Sequence, residues 1–355
     1  MNEHLISLLK KIKYPGFSRN IVSFGIVREA TLKEQKASIS LELSLSDPTV
    51  PNLLKKEIEQ VLKNSNAVES VEVKIVVQKT QSKNDSGLSG SNESKQYDKI
   101  KKIVAIASGK GGVGKSTITV NLGCSLSNLS WENGRQLKIG LMDCDVYGPS
   151  LPLLMGATEK PRVIRENLLE PVESFGVKVM SMGLLVDEET PVVWRGPMVM
   201  KTIQQFAENV EWGELDLLLI DLPPGTGDAQ LSLAQILPLD GSIIVTTPQR
   251  AAVEVARRGA RMFEKVNVPL LGVVENMSFL LNENTKEKSF LFGKGGGPTT
   301  AQALSTSFLG EIPLHEEVRM GGDHGIPVVI SNPECNASIA FESISKHLMD
   351  LIGLD

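Results

Sequence analysis

The decapeptide Ser108-Gly109-Lys110-Gly111-Gly112-Val113-Gly114-Lys115-Ser116-Thr117 has residue types and spacing that can do chemistry. It fits GxxxxGK[ST], with Gly109, Gly114, Lys115 and Ser116 at the fixed places. Its glycines let the backbone turn N–H groups inward, as an anion cradle requires. A helix beginning near Lys115 adds the positive end of its dipole. Lys115 offers a point charge to the β- and γ-phosphates, and Ser116 offers a hydroxyl to Mg2+. The chemistry implied is the binding and cleavage of a nucleoside triphosphate.

Carboxylates stand where such a reaction needs them. Asp143-Cys144-Asp145 follows an apolar run at residues 137–142. At a strand's carboxyl end, beside a phosphate loop, these groups can serve Mg2+ and an attacking water. A second run, residues 217–220, leads into Asp221-Leu222-Pro223-Pro224-Gly225-Thr226-Gly227-Asp228. An apolar strand ending in Asp is the Walker B arrangement, so Asp221 is expected to hold Mg2+. Gly225 can bring a backbone N–H close to the γ-phosphate, which would make the segment a switch sensing hydrolysis.

The elements that must position these groups read as two folded pieces. Residues 103–107, 137–142, 215–220, 242–246 and 270–274 are apolar runs without alternation, as in strands buried on both faces. Helical patterns at residues 117–129 and 252–266 separate them. Repeated β-α units predict a doubly wound, mostly parallel sheet, with ligands beyond the carboxyl ends of its strands. Upstream, Leu5, Leu8, Leu9 and Ile12 recur at helical spacing, and Leu53, Leu54, Ile58, Val61 and Leu62 mark a second helix. Ile39, Leu41, Leu43 and Leu45 alternate as in a strand, with further strands at residues 21–31 and 68–77. That order, α-β-β-α-β, predicts a small α+β domain over residues 1–77. Between the pieces, QKTQSKNDSGLSGSNESKQ is polar and nearly without aliphatic residues. Such composition cannot offset the entropy of ordering, so residues 78–97 are expected to be a flexible linker and 98–355 the nucleotide-binding domain.

Composition narrows the function classes. The 355 residues are 41% hydrophobic and 22% charged, which suits globular domains. A net charge of −5 argues against a general nucleic-acid coat. The three cysteines, Cys124, Cys144 and Cys335, make no CxxC and no disulfide framework. No secretory signal and no run of about 20 apolar residues appears, so a cytoplasmic protein without membrane attachment is expected.

The form KGGVGKST resembles the deviant Walker A motif of the dimeric ATPases that include MinD, ParA and the Mrp/ApbC iron–sulfur carriers. DVYGPS (residues 145–150), MSMGLL (180–185), WRGPM (194–198), DLPPGTGDAQL (221–231), TTPQ (246–249), VENMS (274–278) and GIPVV (325–329) together resemble the Mrp/ApbC family. The small N-terminal piece looks like the domain associated with iron–sulfur assembly in bacterial members. The resemblance implies an ATP- and Mg2+-dependent ATPase that acts as a homodimer on apo iron–sulfur client proteins or assembly factors. In it, Lys110 reaches across the dimer to the partner's phosphates, Asp145 orients the attacking water as base, and Asn276 contacts adenine. Asp143 is expected simply to fix the loop. The family's CxxC after its ENMS segment, a source of [4Fe–4S] ligands, has no counterpart in residues 279–290, so cluster ligands are not identifiable. Two alternatives stay open: a nucleotide-gated adaptor holding no cluster, and a MinD/ParA-like positioning ATPase. Against the latter, the C-terminal stretch 339–353 carries Glu342, Lys346 and Asp350 and presents no basic membrane-binding face.

Overall fold

A computed structural model describes residues 3–12, 20–22, 27–33, 36–44, 50–63, 68, 70–78, 96–131, 133–146, 148–165, 168–185, 203, 206, 208–225, 228–282 and 284–354. The described residues fall into two compact units, one up to Gln78 and one from Gln96 onward. Most of the expected linker, residues 79–95, lies outside the described residues, as do WRGPM, Thr226 and Gly227.

The first unit runs α1 (Glu3–Leu9), β1 (Val27–Lys33), β2 (Lys36–Ser44), α2 (Val50–Lys63), β3 (Ser70–Gln78). β2 is central, antiparallel to β1 and parallel to β3. Leu54, Ile58 and Leu62 recur every four residues, so they share one face of α2 and are all buried. Ile39 and Leu41 alternate on β2 and meet them in one core with Leu5, Leu9 and Ile12. The first strand starts at Val27 rather than at residue 21. Ile21 is buried all the same, and its N–H donates to the Ile12 carbonyl at 2.9 Å.

The second unit opens with β4 (Ile100–Ser108), α3 (Lys115–Ser127), β5 (Ile139–Asp143) and α4 (Leu151–Leu154). A run of short strands follows: β6 (Arg162–Arg165), β7 (Leu168–Glu170), β8 (Val172–Ser174) and β9 (Val177–Ser181). Then come β10 (Leu215–Asp221), α5 (Asp228–Ile236), β11 (Gly241–Thr246), α6 (Arg250–Lys265) and β12 (Leu270–Glu275). The chain ends with the hairpin β13 (Leu280–Leu281) and β14 (Lys288–Ser289), α7 (Gly296–Ala303), β15 (Ser307–Glu311), α8 (Glu316–His324), α9 (Val328–Ser331) and α10 (Asn336–Ile352).

Eight strands form one sheet in the order β15-β12-β11-β4-β10-β5-β9-β8, parallel throughout except for β8. The five apolar runs of the sequence are its five central neighbours, from β12 to β5. β10, β11, β4 and β5 are buried along nearly their whole length, which is why they carry no alternation. The chain leaves β4 toward β5 on one side and later crosses to β11 on the other. That reversal puts a crevice beyond the carboxyl end of β4. α10 turns Phe341, Ile344, Leu348 and Ile352 into the core, packed on α3 and β15. Its apolar face is therefore covered within the domain. Among the described residues no helix is long and apolar enough to cross a membrane.

Candidate functional site

The loop 108–115 connects β4 to α3 in the crevice, as its glycines require. A Cβ on Gly109 would lie 2.5 Å from the backbone carbonyl carbon of Val255, so α6 approaches too closely for any side chain there. Gly114 caps α3 with φ of 80°, in the left-handed region that glycine enters without strain. Beyond Gly111 and Gly112 the space is open, with nothing nearer than Pro224 at 4.0 Å. The loop is thus packed behind and open in front, a cradle that phosphate oxygens fit.

Asp221 is the hub behind it. Fully buried at the end of β10, it receives Lys115 Nζ at 2.7 Å and the Ser116 hydroxyl at 2.6 Å on Oδ2. Thr119 Oγ1 lies 2.7 Å from Oδ1. All three partners come from the first turn and a half of α3, because residues three and four apart share a helix face. Lys115 itself is only 5% exposed. A carboxylate, a hydroxyl and an ammonium meeting at the rim of a phosphate cradle fit a Mg2+–phosphate unit. To serve one, Lys115 must exchange Asp221 for phosphate oxygens.

Asp143 is buried beside Asp221, at matching register on the neighbouring strand β5. Burial, and then the Asp221 charge, push its carboxyl up to about 7. It accepts from the Asp145 N–H at 3.0 Å, the Ser181 hydroxyl at 3.0 Å and the Leu151 N–H at 3.3 Å. Asp143 therefore fixes the loop that carries Asp145. Asp145 is half-buried, two residues beyond the strand end.

Four expected nucleotide contacts have partners inside the protein. Lys110 Nζ donates to Gln249 Oε1 at 3.1 Å. The Gly225 N–H donates to the Ser108 carbonyl at 3.0 Å rather than opening into the cradle. Asn276 is buried at the end of β12, where its Nδ2 donates to the Val113 carbonyl at 2.9 Å and braces Gly114. Lys115 pairs with Asp221, as above. Val113 is buried, whereas Ser116 and Thr117 are half-buried. Sequence reasoning missed Thr119 and Gln249. Thr119 was readable as the next same-face hydroxyl after Lys115 and Ser116. Gln249 sits in TTPQ at the end of β11, and only tertiary packing brings it to Lys110.

The thiols are dispersed and unpaired. Cys124 is buried in α3, where burial pushes its thiol up to about 12. Cys144 is buried too, and burial and then the Asp143 and Asp221 charges hold its thiol well above the ordinary range. Cys335 is half-buried at the start of α10. A four-thiolate cluster site does not fit this set, because a pair of chains would offer only two reachable sulfurs.

Residues 99–349 match the family described as NUBPL iron-transfer P-loop NTPase, and residues 2–75 match the family described as iron-sulfur cluster assembly protein. The chain is 40% identical over 348 residues to an iron-sulfur cluster carrier protein of Helicobacter pylori, covering 98% of this chain and 91% of that one. It is 50% identical over 250 residues to an Arabidopsis thaliana protein named as an iron-sulfur protein required for NADH dehydrogenase, mitochondrial (70% and 78% covered). Among solved structures, a nucleotide-binding protein of Archaeoglobus fulgidus in complex with ADP aligns with a TM-score of 0.56 at 38% identity, covering 65% of this chain and 88% of that one.

Proposed function

The chain belongs to the NUBPL iron-transfer P-loop NTPase family, and from that premise we propose that it binds and hydrolyses ATP as a homodimeric carrier or assembly factor for iron–sulfur clusters. The observation that carries the ATPase reading is the constellation of Lys115, Ser116 and Thr119 around buried Asp221, behind an open glycine cradle. The reaction is ATP plus water to ADP plus phosphate.

Placement and the family resemblance together support the following roles. Backbone N–H groups of residues 109–114 and the α3 dipole would bind the phosphates. Ser116 and Asp221 would hold Mg2+, which when bound neutralises charge on the phosphate oxygens. Asp145 would orient the water and accept its proton. Lys110 would exchange Gln249 for the partner's nucleotide and offset charge developing on the transferred phosphoryl group. Gly225 would exchange the Ser108 carbonyl for the γ-phosphate, which couples the segment after β10 to hydrolysis. Asn276, at the loop's back, would meet the adenine side. The residues 1–77 and 98–355 are proposed as separately folded domains on a tether, and the cytoplasm as a setting in which three unpaired thiols stay reduced.

The cluster is cargo in this reading, with client proteins or assembly factors as partners. Because Cys124 and Cys144 are buried, a second reading stands beside it: a nucleotide-gated adaptor that binds assembly partners and holds no cluster. Anaerobic reconstitution with iron and sulfide separates the two, since a thiolate-to-iron absorption band supports the carrier and a colourless product the adaptor. A positioning ATPase on membranes is disfavoured by α10, whose apolar face is packed on α3 and β15.

The ATPase reading is tested by turnover of purified full chain. Lys110→Ala and Asp145→Ala should each lower it by roughly 100-fold or more, the scale of a lost charge stabiliser or proton acceptor. Unchanged turnover in both variants would defeat the mechanism.

A further inference from the structure

A second cluster of ligating side chains lies away from the phosphate cradle. His315, Glu317 and Cys335 bring one imidazole nitrogen, one carboxylate oxygen and the thiol sulfur within 4.8 Å of one another. The three residues come from two helix starts: His315 is the N-cap of α8, Glu317 lies in its first turn, and Cys335 is the N-cap of α10. We propose that this cluster is a mononuclear site for a divalent transition metal of the zinc or ferrous class.

The residue types point to a ligand role rather than to capping alone. Helix N-caps favour Ser, Thr, Asp and Asn, whose short oxygens reach the first-turn N–H groups. Here His and Cys occupy two neighbouring caps, each a metal-ligating type. Their cap bonds are long: Glu317 N to His315 Nδ1 is 3.3 Å, and Ser338 N to Cys335 Sγ is 3.4 Å. Coordination by that nitrogen would replace only the weaker kind of contact, while sulfur can keep its N–H donor as it binds.

The surroundings resemble the supporting shell of a metal site. Asn332 Nδ2 donates to Glu317 Oε2 at 2.8 Å, which orients the carboxylate and leaves its other oxygen available. The Ser338 hydroxyl lies 3.3 Å from Cys335 Sγ and donates to the Asn332 carbonyl at 2.7 Å, tying the loop before α10 to the ligand set. Such outer partners fix ligand geometry. A thiolate and a carboxylate together balance a divalent charge, and imidazole adds a neutral third ligand. The mixed N, O, S set matches borderline-soft metals rather than Mg2+ or Ca2+. All three residues are half-buried, so an ion can reach them. Around a tetrahedral centre with bonds of about 2.0–2.3 Å, ligands stand roughly 3.3–3.8 Å apart. Side-chain rotation must therefore close the set by about 1 Å. A fourth position is left for water or an incoming thiolate.

The test titrates full chain, free of nucleotide, with Co2+ and with Zn2+. A thiolate-to-cobalt charge-transfer band, saturating at one metal per chain and displaced by Zn2+, is expected. Cys335→Ser and His315→Asn each keep a good N-cap, so helix starts survive while a ligand is lost. Each should remove the band or weaken binding at least 100-fold, and Asn332→Ala should weaken it by about 10–100-fold. Cys144 neighbours Asp221, so Cys144→Ser serves as the control for a Co2+ ion held there, and the band should persist in it. Absence of the band in the unaltered chain, or its persistence in Cys335→Ser, would overturn the proposal.

Discussion

Asp216 and Asp221 lie near opposite ends of β10, five residues apart and both almost wholly buried. At the amino end, Asp216 receives Arg135 Nη2 at 2.8 Å, Lys101 Nζ at 3.0 Å and the Lys138 N–H at 2.9 Å. Burial opposes its ionisation, but these donors outweigh burial and hold the carboxyl well below its ordinary range. Both cations are about half exposed, and Lys101 and Arg135 also lie over the Trp131 ring. At the carboxyl end, the partners of Asp221 are a buried lysine and two hydroxyls from one helix. The first arrangement fastens loops to the sheet from the outside. The second holds a cation inside the domain, next to an open cradle, where its release to a phosphate has a use. A buried ion pair is weak evidence of stability by itself, and position at the carboxyl end of a parallel strand decides the reading.

The same substitution at the two ends separates them. Asp221→Asn should reduce Mg2+-dependent ATP turnover by about 10²–10³-fold, the scale of losing one preorganised electrostatic group. Asp216→Asn should leave turnover within about twofold and cost about 1–2 kcal/mol in chemical denaturation, the worth of charge-assisted bonds to half-exposed partners. Loss of turnover in the Asp216 variant would break the contrast.

The pH dependence sharpens it further. Asp216 is depressed in the folded state, so its contribution is present above the unfolded value of about 3.9 and is lost as pH falls through and below that range. Asp143 is raised, so the folded chain binds more protons than the unfolded one between about 4 and 7, and its contribution to stability falls as pH rises through that window. Asp143→Asn should flatten the stability profile across that window. A profile unchanged between pH 4 and 7 in that variant would contradict the burial argument.

The sequence made the centre of the fold legible and left its margins dark. The five apolar runs mark five adjacent central strands because burial on both faces erases alternation. β8 and β15 went unread, since partial exposure mixes their residue types and gives no run to detect. β9 is mostly buried, but its five residues are interrupted by Lys178 and end in Ser181, too short an apolar run to stand out. In the site, loop glycines, Lys115, Ser116 and Asp221 were readable from spacing alone. The Lys110–Gln249 bond and the Asn276 brace join residues 139 and 163 positions apart, which no local pattern encodes. The His315–Glu317–Cys335 cluster escaped notice for the same reason, since two chain segments must meet to make it.

Equilibrium dialysis of the purified full chain against ATP, with and without Mg2+, reaches the central claim most directly. Saturable retention of one nucleotide per chain, tightened by Mg2+, is predicted. Failure to retain ATP above the free concentration at any Mg2+ level would contradict the account of the glycine cradle and of Asp221 behind it.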